Sequence, residues 1–360
     1  MVRIYKGDFN MLLHELLEVT MNKNASDLHL TVGAPPTLRI NGHLVPINND
    51  KLLPAHTANY AKEILGNDYE AYNTMGEIDT SYSISGLGRF RVNVYKQRGG
   101  DAIALRVVAL KIPTLKELKF PSSVKELTER QRGLVLVTGP TGSGKSTTLA
   151  AMINEINSNR SSHIITLEDP IEYLHKHNKS IVNQREIGRD SKTYQNALRA
   201  ILREDPDVIL VGEMRDLETI SIAITAAETG HLVLSTLHTI GAAKTIDRIV
   251  DVFPPFQQQQ IKIQLAAVLQ GIVSQQLLPK IDENGRVAAL EIMAITPAIQ
   301  NLIREGKTHQ IESAVQTGGK YGMKTMDMAI SELYRNREIS KDVAMTYAVD
   351  KEILSRMMLM

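Results

Sequence analysis

A run of ten residues, GPTGSGKSTT from Gly139 to Thr148, combines three glycines, a lysine and several hydroxyl groups. It fits the pattern G-x-x-x-x-G-K-[ST] at Gly139, Gly144, Lys145 and Ser146, after an apolar run and before a helical one. The glycines let backbone N–H groups surround phosphate oxygens, and the helix N-terminus adds partial positive charge. The pattern therefore predicts a nucleoside triphosphate site. Its predicted binding residues are Gly139, Pro140, Thr141, Gly142, Ser143, Gly144, Lys145, Ser146 and Thr147.

Acidic residues follow two further apolar segments that read as strands. LEDPIEY places Glu168, Asp169 and Glu172 after one segment, and DVILVGEMRD places Glu213 after the other. Gly212 stands where a Walker B strand usually has aspartate. We therefore expect Glu213 to bind the metal ion or orient the attacking water in its place, with help from Glu168 or Asp169. Ligand groups of parallel sheets lie at the carboxyl ends of strands. Glu168 and Glu213 are therefore predicted catalytic residues, and the sequence leaves open which one is the general base.

Magnesium accompanies nucleoside triphosphates in sites of this type. The hydroxyl of Ser146 is a predicted Mg²⁺ ligand, and Glu213 is a second one, either directly or through water. The competing interpretation of the acidic residues is structural, as helix caps or as partners of Arg215.

Two histidines flank the segment HLVLSTLHT. His231 and His238, seven positions apart on a strand, would point to opposite faces, so no shared metal is predicted. At the carboxyl end of the strand, beside Thr236, His238 could hydrogen-bond the γ-phosphate or the attacking water. His238 is thus a further candidate catalytic residue, with a structural role as the alternative.

The elements that must position these residues alternate between apolar strands and helices, which predicts an α/β fold with a mostly parallel sheet covered on both faces. The candidate strands are 134–139, 163–169, 207–213 and 231–239, and the candidate helices are 145–157, 192–203, 216–228 and 241–251. The last 60 to 70 residues look mainly helical.

The first part of the chain has a different texture. Short alternating segments surround Asn41-Gly42, a dipeptide typical of tight hairpins, and indicate a small α+β domain with an antiparallel sheet. The predicted divisions are an N-terminal domain at 1–112, a linker at 113–132, a P-loop core at 133–290 and a helical C-terminal region at 291–360.

Composition excludes several function classes. The 360 residues include 41 basic and 40 acidic side chains, a net charge of +1, and 4% aromatic residues without tryptophan. Such a chain offers neither a general positive field nor stacking platforms for nucleic acid, so no nucleic-acid partner is expected. No cysteine is present, which excludes disulfides and thiolate chemistry. The first 20 residues read as an amphipathic helix rather than an export signal, and no membrane insertion is expected.

Four blocks together resemble the secretion ATPases, the motors of type II secretion and type IV pili. GPTGSGKSTTLAAMI, ITLEDPIEYLHKHNKSIVNQREIG, DPDVILVGEMRDLETI and TGHLVLSTLHTIGAAKTIDRIVDVFP are similar to the family's Walker A, Asp box, Walker B and His box. SDLHL and GRFRVNVY are typical of its PAS-like N-terminal domain. AIQNLIREGK, at 298–307, resembles the AIRNLIREGK motif of the pilus retraction branch, with Gln300 in place of arginine.

The resemblance implies a RecA-like P-loop core that hydrolyses ATP with Mg²⁺ in a ring of six identical subunits. By motif, Arg91 and Arg106 would reach toward the phosphates and compensate charge, with Arg98 as a third candidate. Judged from the sequence alone, the first two are ordinary surface charges on strands. The resemblance further implies a cytoplasmic motor, peripheral at the inner-membrane pilus machine. There it would turn an inner-membrane platform protein and so drive pilus retraction and twitching motility.

Two alternatives from other functional classes stay open. A RecA-like nucleic-acid translocase would need a basic channel or stacking aromatics, which the composition disfavours. A nucleotide-binding scaffold that assembles without hydrolysing ATP would not need the acidic residues at the predicted strand ends.

Overall fold

The computed structural model describes residues 11–108, 111–282 and 285–359. The chain divides into two compact units, Met1–Lys111 and Ile112–Met360.

The first unit is built on a six-stranded antiparallel sheet in the order β3-β2-β1-β6-β5-β4. Asn41 and Gly42 both have positive φ and close the two-residue hairpin between β2 and β3, as the sequence predicts. The strands are β1 Asp27–Thr31, β2 Thr37–Ile40, β3 His43–Pro46, β4 Glu77–Ile84, β5 Gly88–Gln97 and β6 Gly100–Val107. The helices are α1 Leu13–Asn22, α2 Pro54–Leu65 and α3 Tyr69–Met75. The N-terminal helix was predicted from the first residues onward, and its part at 1–10 lies outside the described residues.

The second unit is built on a seven-stranded sheet in the order β13-β12-β7-β11-β10-β8-β9. All neighbours are parallel except the antiparallel pair of β12 and β13. The strands are β7 Gly133–Thr138, β8 His163–Glu168, β9 Ile181–Glu186, β10 Val208–Val211, β11 Leu232–Leu237, β12 Leu269–Pro279 and β13 Arg286–Ala294. The helices are α4 Ser122–Thr128, α5 Lys145–Asn159, α6 Tyr194–Ile201, α7 Leu217–Glu228, α8 Ala242–Asp251, α9 Pro255–Val268, α10 Pro297–Arg304, α11 Ile311–Thr317, α12 Met326–Arg335, α13 Lys341–Tyr347 and α14 Lys351–Leu359.

Helices cover both faces of this second sheet. Alternate residues of the fully buried strand β7 enter two separate cores: Leu134 and Leu136 pack in one, Val135 and Val137 in the other. The first core contains side chains of α6 to α9, and the second contains side chains of α4 and α5. This arrangement confirms the predicted α/β fold class, because a strand buried on both faces needs apolar residues at every position.

Several strands have no counterpart in the sequence analysis. The edge strand β9 is rich in polar residues and lacks the apolar alternation that identifies a half-buried strand. The edge strand β4 does alternate, with Ile78, Tyr82 and Ile84 on one face, and was overlooked. The pair of β12 and β13 was not predicted either, because Leu, Gln, Ala, Glu and Met favour helices as readily. β13 continues to Ala294 and so crosses position 290, where the sequence analysis ended the core.

Within the described parts of the chain, none of the helices combines the length and the apolarity needed to cross a bilayer.

Candidate active site

The phosphate-binding loop connects β7 to α5. Gly139, Gly142 and Gly144 have φ values of 143°, 77° and 89°, which side-chain-bearing residues rarely adopt. Gly144 is the N-cap of α5, so the first N–H groups of this helix face the loop. A ring of backbone donors at a helix N-terminus is the arrangement that binds phosphate.

Lys145 holds its ammonium group inside this loop. Its Nζ donates to the carbonyl oxygens of Gly139 at 2.9 Å and Pro140 at 3.0 Å, and the residue is only 9% exposed. Burial lowers the pKa of the lysine, against the attraction of Glu213 and Glu172. A nearly buried cation on two carbonyls is poised to exchange these neutral partners for charged phosphate oxygens, which bind ammonium more strongly.

Gln275 on β12 braces the loop, and sequence reasoning missed it. Its side-chain Nε2 donates to the carbonyl oxygen of Ser143 at 2.6 Å, and its Oε1 accepts from Thr148 Oγ1 at 2.7 Å. The carbonyl oxygen of Gln275 lies so close to Gly139 that a Cβ there would be 2.2 Å away. The available signal was a glutamine pair, Gln275 and Gln276, inside an otherwise apolar run; buried amides of this kind have dedicated hydrogen-bond partners.

A cleft of about 470 Å³ opens beside the loop, within the usual range for small-molecule sites. Six predicted binding residues line it, together with three predicted catalytic residues: Thr141, Gly142, Gly144, Lys145, Ser146 and Thr147, with Glu168, Glu213 and His238. The cleft also contains Asp169, Glu172, Tyr173, His175, Tyr194 and Arg286 in its walls.

Glu168 ends β8 and projects into this cleft. Its Oε1 accepts from Thr166 Oγ1 at 2.7 Å and from Gln184 Nε2 at 3.0 Å, and the backbone of Glu172 also hydrogen-bonds the carboxylate. Burial raises the pKa of Glu168, and these three donors oppose the rise only in part. A carboxylate with a raised pKa is suited to accept a proton near neutral pH.

Glu213 follows β10 and is engaged by two partners. Its Oε2 lies 2.8 Å from Arg215 Nε, and its Oε1 lies 3.1 Å from His238 Nε2. The other ring nitrogen of the histidine, Nδ1, lies 3.4 Å from Thr141 Oγ1 on the phosphate loop. His238 therefore connects the loop to Glu213, which supports a place in the site for this histidine.

Gly212 has a steric reason to replace the usual aspartate. A Cβ at this position would lie 3.0 Å from Tyr194 Oη and 3.1 Å from the carbonyl oxygen of Leu167. A larger side chain would have to displace the tyrosine or the backbone of β8. The cleft takes acidic groups from the next residue, Glu213, from Glu168 on a neighbouring strand, and from Asp169 and Glu172 after that strand.

Two other polar side chains near the predicted strand ends have structural roles. Asp216 caps α7: its Oδ1 accepts from the N–H of Thr219 at 2.8 Å and its Oδ2 from the Thr219 hydroxyl at 3.1 Å. His231 precedes β11, and its Nδ1 lies 2.9 Å from the carbonyl oxygen of Ala226. His231 and His238 thus flank opposite ends of one strand.

Arg91 and Arg106 lie in the first unit, on β5 and β6, directly opposite each other in the sheet register. Arg106 also lies opposite Asp27 on β1 in the sheet register, and its Nε donates to Asp27 Oδ1 at 2.9 Å. Burial opposes ionisation of Asp27, but hydrogen bonds from Ser26 and Arg106 prevail and lower its pKa. Both arginines are exposed, and their predicted action on phosphates stays a prediction. Arg98 lies apart from the pair, in the turn between β5 and β6.

The motif AIQNLIREGK forms most of α10. Ile299 and Ile303 are fully buried, and Gln300 between them is half-buried. The motif therefore contributes to the core through its isoleucines.

Comparison with known proteins relates most of the chain to one group. A family model described as type II/IV secretion system protein matches residues 6–347. The type IV pilus retraction ATPase PilT of Pseudomonas aeruginosa is 49% identical over 334 residues, covering 92% of this chain and 96% of that protein. A twitching motility protein of Neisseria gonorrhoeae is 48% identical over 322 residues, covering 89% of this chain and 86% of the relative. A crystal structure of the pilus retraction motor PilT with bound ADP matches with a TM-score of 0.90 at 48% identity, covering 96% of this chain and 100% of that one.

The contact between Gly139 and β12 leads to a prediction about stability. We expect Gly139→Ala to lower the free energy of unfolding by at least ~2 kcal/mol, because the new methyl group meets a backbone oxygen that cannot move freely. Gly142→Ala is the matched control: its φ of 77° is also positive, but no atom lies within 4 Å of the added Cβ.

Gly142→Ala should therefore cost only about 1 kcal/mol, the strain of the left-handed backbone. Urea unfolding followed by circular dichroism measures both variants. Equal losses for the two would show that the approach of β12 does not constrain the loop.

Proposed function

Since the chain belongs to the family of type II/IV secretion system proteins and is an ATPase, as its motifs led us to expect, we propose that it retracts type IV pili by hydrolysing ATP. One observation carries the proposal: a single cleft joins a phosphate-binding loop to two carboxylates and a histidine from three neighbouring strand ends. The scaffold alternative would not require acidic groups beside the phosphates.

In the proposed reaction, the loop N–H groups and Lys145 hold the β- and γ-phosphates of ATP. Lys145 gives up the carbonyl oxygens of Gly139 and Pro140 and binds phosphate oxygens in their place. A positioned ammonium there compensates negative charge that shifts toward the leaving ADP oxygen. His238, next to Thr141, is placed to hydrogen-bond the γ-phosphate or the attacking water.

We assign the general base to Glu168 rather than to Glu213. The raised pKa of Glu168 makes its carboxylate a better proton acceptor, and its neighbours leave it without a cationic partner among the described contacts. Glu213, in contrast, is already paired with Arg215 and His238. In this assignment Glu168 takes the proton of the water that attacks the γ-phosphorus.

The residues of the cleft fit a magnesium ion. Ser146 follows the loop lysine and Glu213 shares the same cleft, so a hydroxyl and a carboxylate are available, and Mg²⁺ prefers such oxygen ligands. Bound with ATP, the ion would neutralise charge on the β- and γ-phosphates. Glu213 would hold it directly or through water.

The motor function extends the proposal beyond one subunit. We propose a homohexamer, as the family resemblance implies, in which Arg91 and Arg106 compensate charge at the phosphates. Loss of the γ-phosphate would remove contacts and let the two domains rotate against each other. At the pilus machine, such rotations would act on an inner-membrane platform protein.

The first test compares two glutamates of the same cleft. Glu168→Gln should lower kcat for phosphate release by about 100-fold or more, because general-base catalysis contributes at least this much. The KM for ATP should stay within about threefold of the wild-type value, since the phosphate loop is intact. Glu172→Gln makes the same chemical change in the same cleft and should leave kcat within about threefold.

Lys145→Ala completes the set, because it should abolish ATP binding in calorimetry as well as turnover. A Glu168→Gln enzyme as fast as Glu172→Gln would remove Glu168 from the role of base. A wild-type chain that released phosphate no faster than Lys145→Ala would contradict the ATPase reaction itself.

The second test removes the metal. We expect EDTA to stop phosphate release and excess Mg²⁺ to restore it, because the triphosphate charge is otherwise uncompensated. Ser146→Ala should need an about tenfold higher Mg²⁺ concentration for half-maximal activity, because the ion loses one ligand. Full turnover in EDTA, or an unchanged Mg²⁺ requirement in Ser146→Ala, would argue against this site.

A further inference from the structure

The segment 169–175, here called the strap, follows β8 and lines the cleft. Side chains of β9 hydrogen-bond its backbone. Gln184 on β9 donates from Nε2 to the carbonyl oxygen of Tyr173 at 2.8 Å and accepts at Oε1 from the N–H of His175 at 2.8 Å. Two positions along the strand, on the same face, Glu186 Oε2 accepts from the N–H of Ile171 at 3.0 Å. The strap is therefore held at three backbone points.

The same amide also reaches the carboxylate that we assign as the base. Gln184 Nε2 donates to Glu168 Oε1 at 3.0 Å, in addition to its bond with the strap. A primary amide has two N–H groups and one carbonyl oxygen, and all three are in use here. Gln184 thus fixes the Glu168 side chain and the strap backbone relative to each other.

The strap in turn contacts the phosphate loop. Tyr173 Oη lies 2.8 Å from Thr147 Oγ1. Thr147 lies in the first turn of α5, directly after Lys145 and Ser146. A continuous series of hydrogen bonds therefore runs from Glu168 through Gln184 and Tyr173 to the phosphate-binding residues. Each member lies on a different element, so their spacing depends on the amide that links them.

We propose that Gln184 is a positioning residue for ATP hydrolysis, which sets the place of the Glu168 carboxylate relative to the phosphate loop. The inference rests on the proposed function and deepens it, because it assigns a residue that acts through the base without touching ATP. Buried hydrogen-bond donors around a reactive group typically change its activity tenfold to a hundredfold.

The surroundings of Glu168 set its pKa, so the pH dependence of kcat can test the proposal. Burial raises the pKa of this carboxyl, while the hydrogen bonds from Thr166 and Gln184 lower it, and the charge of Glu172 on the strap adds to the rise. Tyr194 on α6 also faces Glu168, and its own pKa is raised by burial and by the nearby carboxylates. Loss of the Gln184 donor should therefore raise the pKa of Glu168 further.

The experiment uses the full chain and measures phosphate release against pH and ATP concentration. Gln184→Met keeps the side-chain length and removes every hydrogen bond. We expect kcat to fall about 10- to 100-fold with the KM for ATP within about threefold. The acid limb of the kcat profile should move about one pH unit to the alkaline side, because a base with a higher pKa needs a higher pH to lose its proton.

Asn183→Leu is the matched control, an amide-to-apolar change at the adjacent position, whose side chain contacts His163 Nε2 on the other face of β9. It should leave kcat within about twofold and the acid limb in place. If Gln184→Met does not fold, Gln184→Glu serves instead; its second carboxylate should move the acid limb at least as far to the alkaline side.

An unchanged kcat, a loss of kcat with an unmoved acid limb, or a KM rise that accounts for the whole loss would each overturn the positioning role. These outcomes require a wild-type chain that hydrolyses ATP. Absence of wild-type turnover would instead refute the proposed function, so the two failures are distinguishable.

Discussion

The close contact between the phosphate loop and β12 is the constraint on which the site depends. A loop rich in glycine has many conformations in the unfolded chain, and only one presents its N–H groups to a phosphate. Gln275 fixes that conformation from both ends: its backbone oxygen leaves no room for a side chain at Gly139, and its amide binds Ser143 and Thr148. The protein's own groups thereby hold the loop, and a ligand has less ordering entropy to supply on binding.

The order of the strands brings the phosphate loop and the polar residues of the cleft together. β7, β11, β10 and β8 are consecutive neighbours in the sheet and run parallel, so their carboxyl ends meet at one edge. The loop, His238, Glu213 and Glu168 follow these four ends in spatial order. Residues far apart in sequence thus reach each other without long side chains, and short strands fully buried on both faces keep the edge rigid.

The sequence was informative where one residue type has one physical use. Glycines, lysine and serine at fixed spacing predict the phosphate loop, and carboxylates after apolar strands predict Glu168 and Glu213; the structure brings all of them to one cleft. Gln275 and Gln184 escaped notice because an amide binds whatever donors and acceptors surround it, so its role appears only once its partners are known. The edge strand β9 was missed for a related reason: its Gln184 and Glu186 hydrogen-bond the backbone of the segment 169–175, and the strand lacks an apolar pattern.

Gly212 shows how packing and chemistry share this cleft. Tyr194 Oη and the backbone of β8 occupy the space that an aspartate at the usual position would need. Two acidic residues of this cleft, Glu213 and Glu168, have different surroundings. Glu213 is paired with Arg215 and His238, whereas burial raises the pKa of Glu168 and makes its charge costly. A carboxylate with a cationic partner and a carboxylate with a raised pKa can serve different steps, the first holding charge and the second accepting a proton.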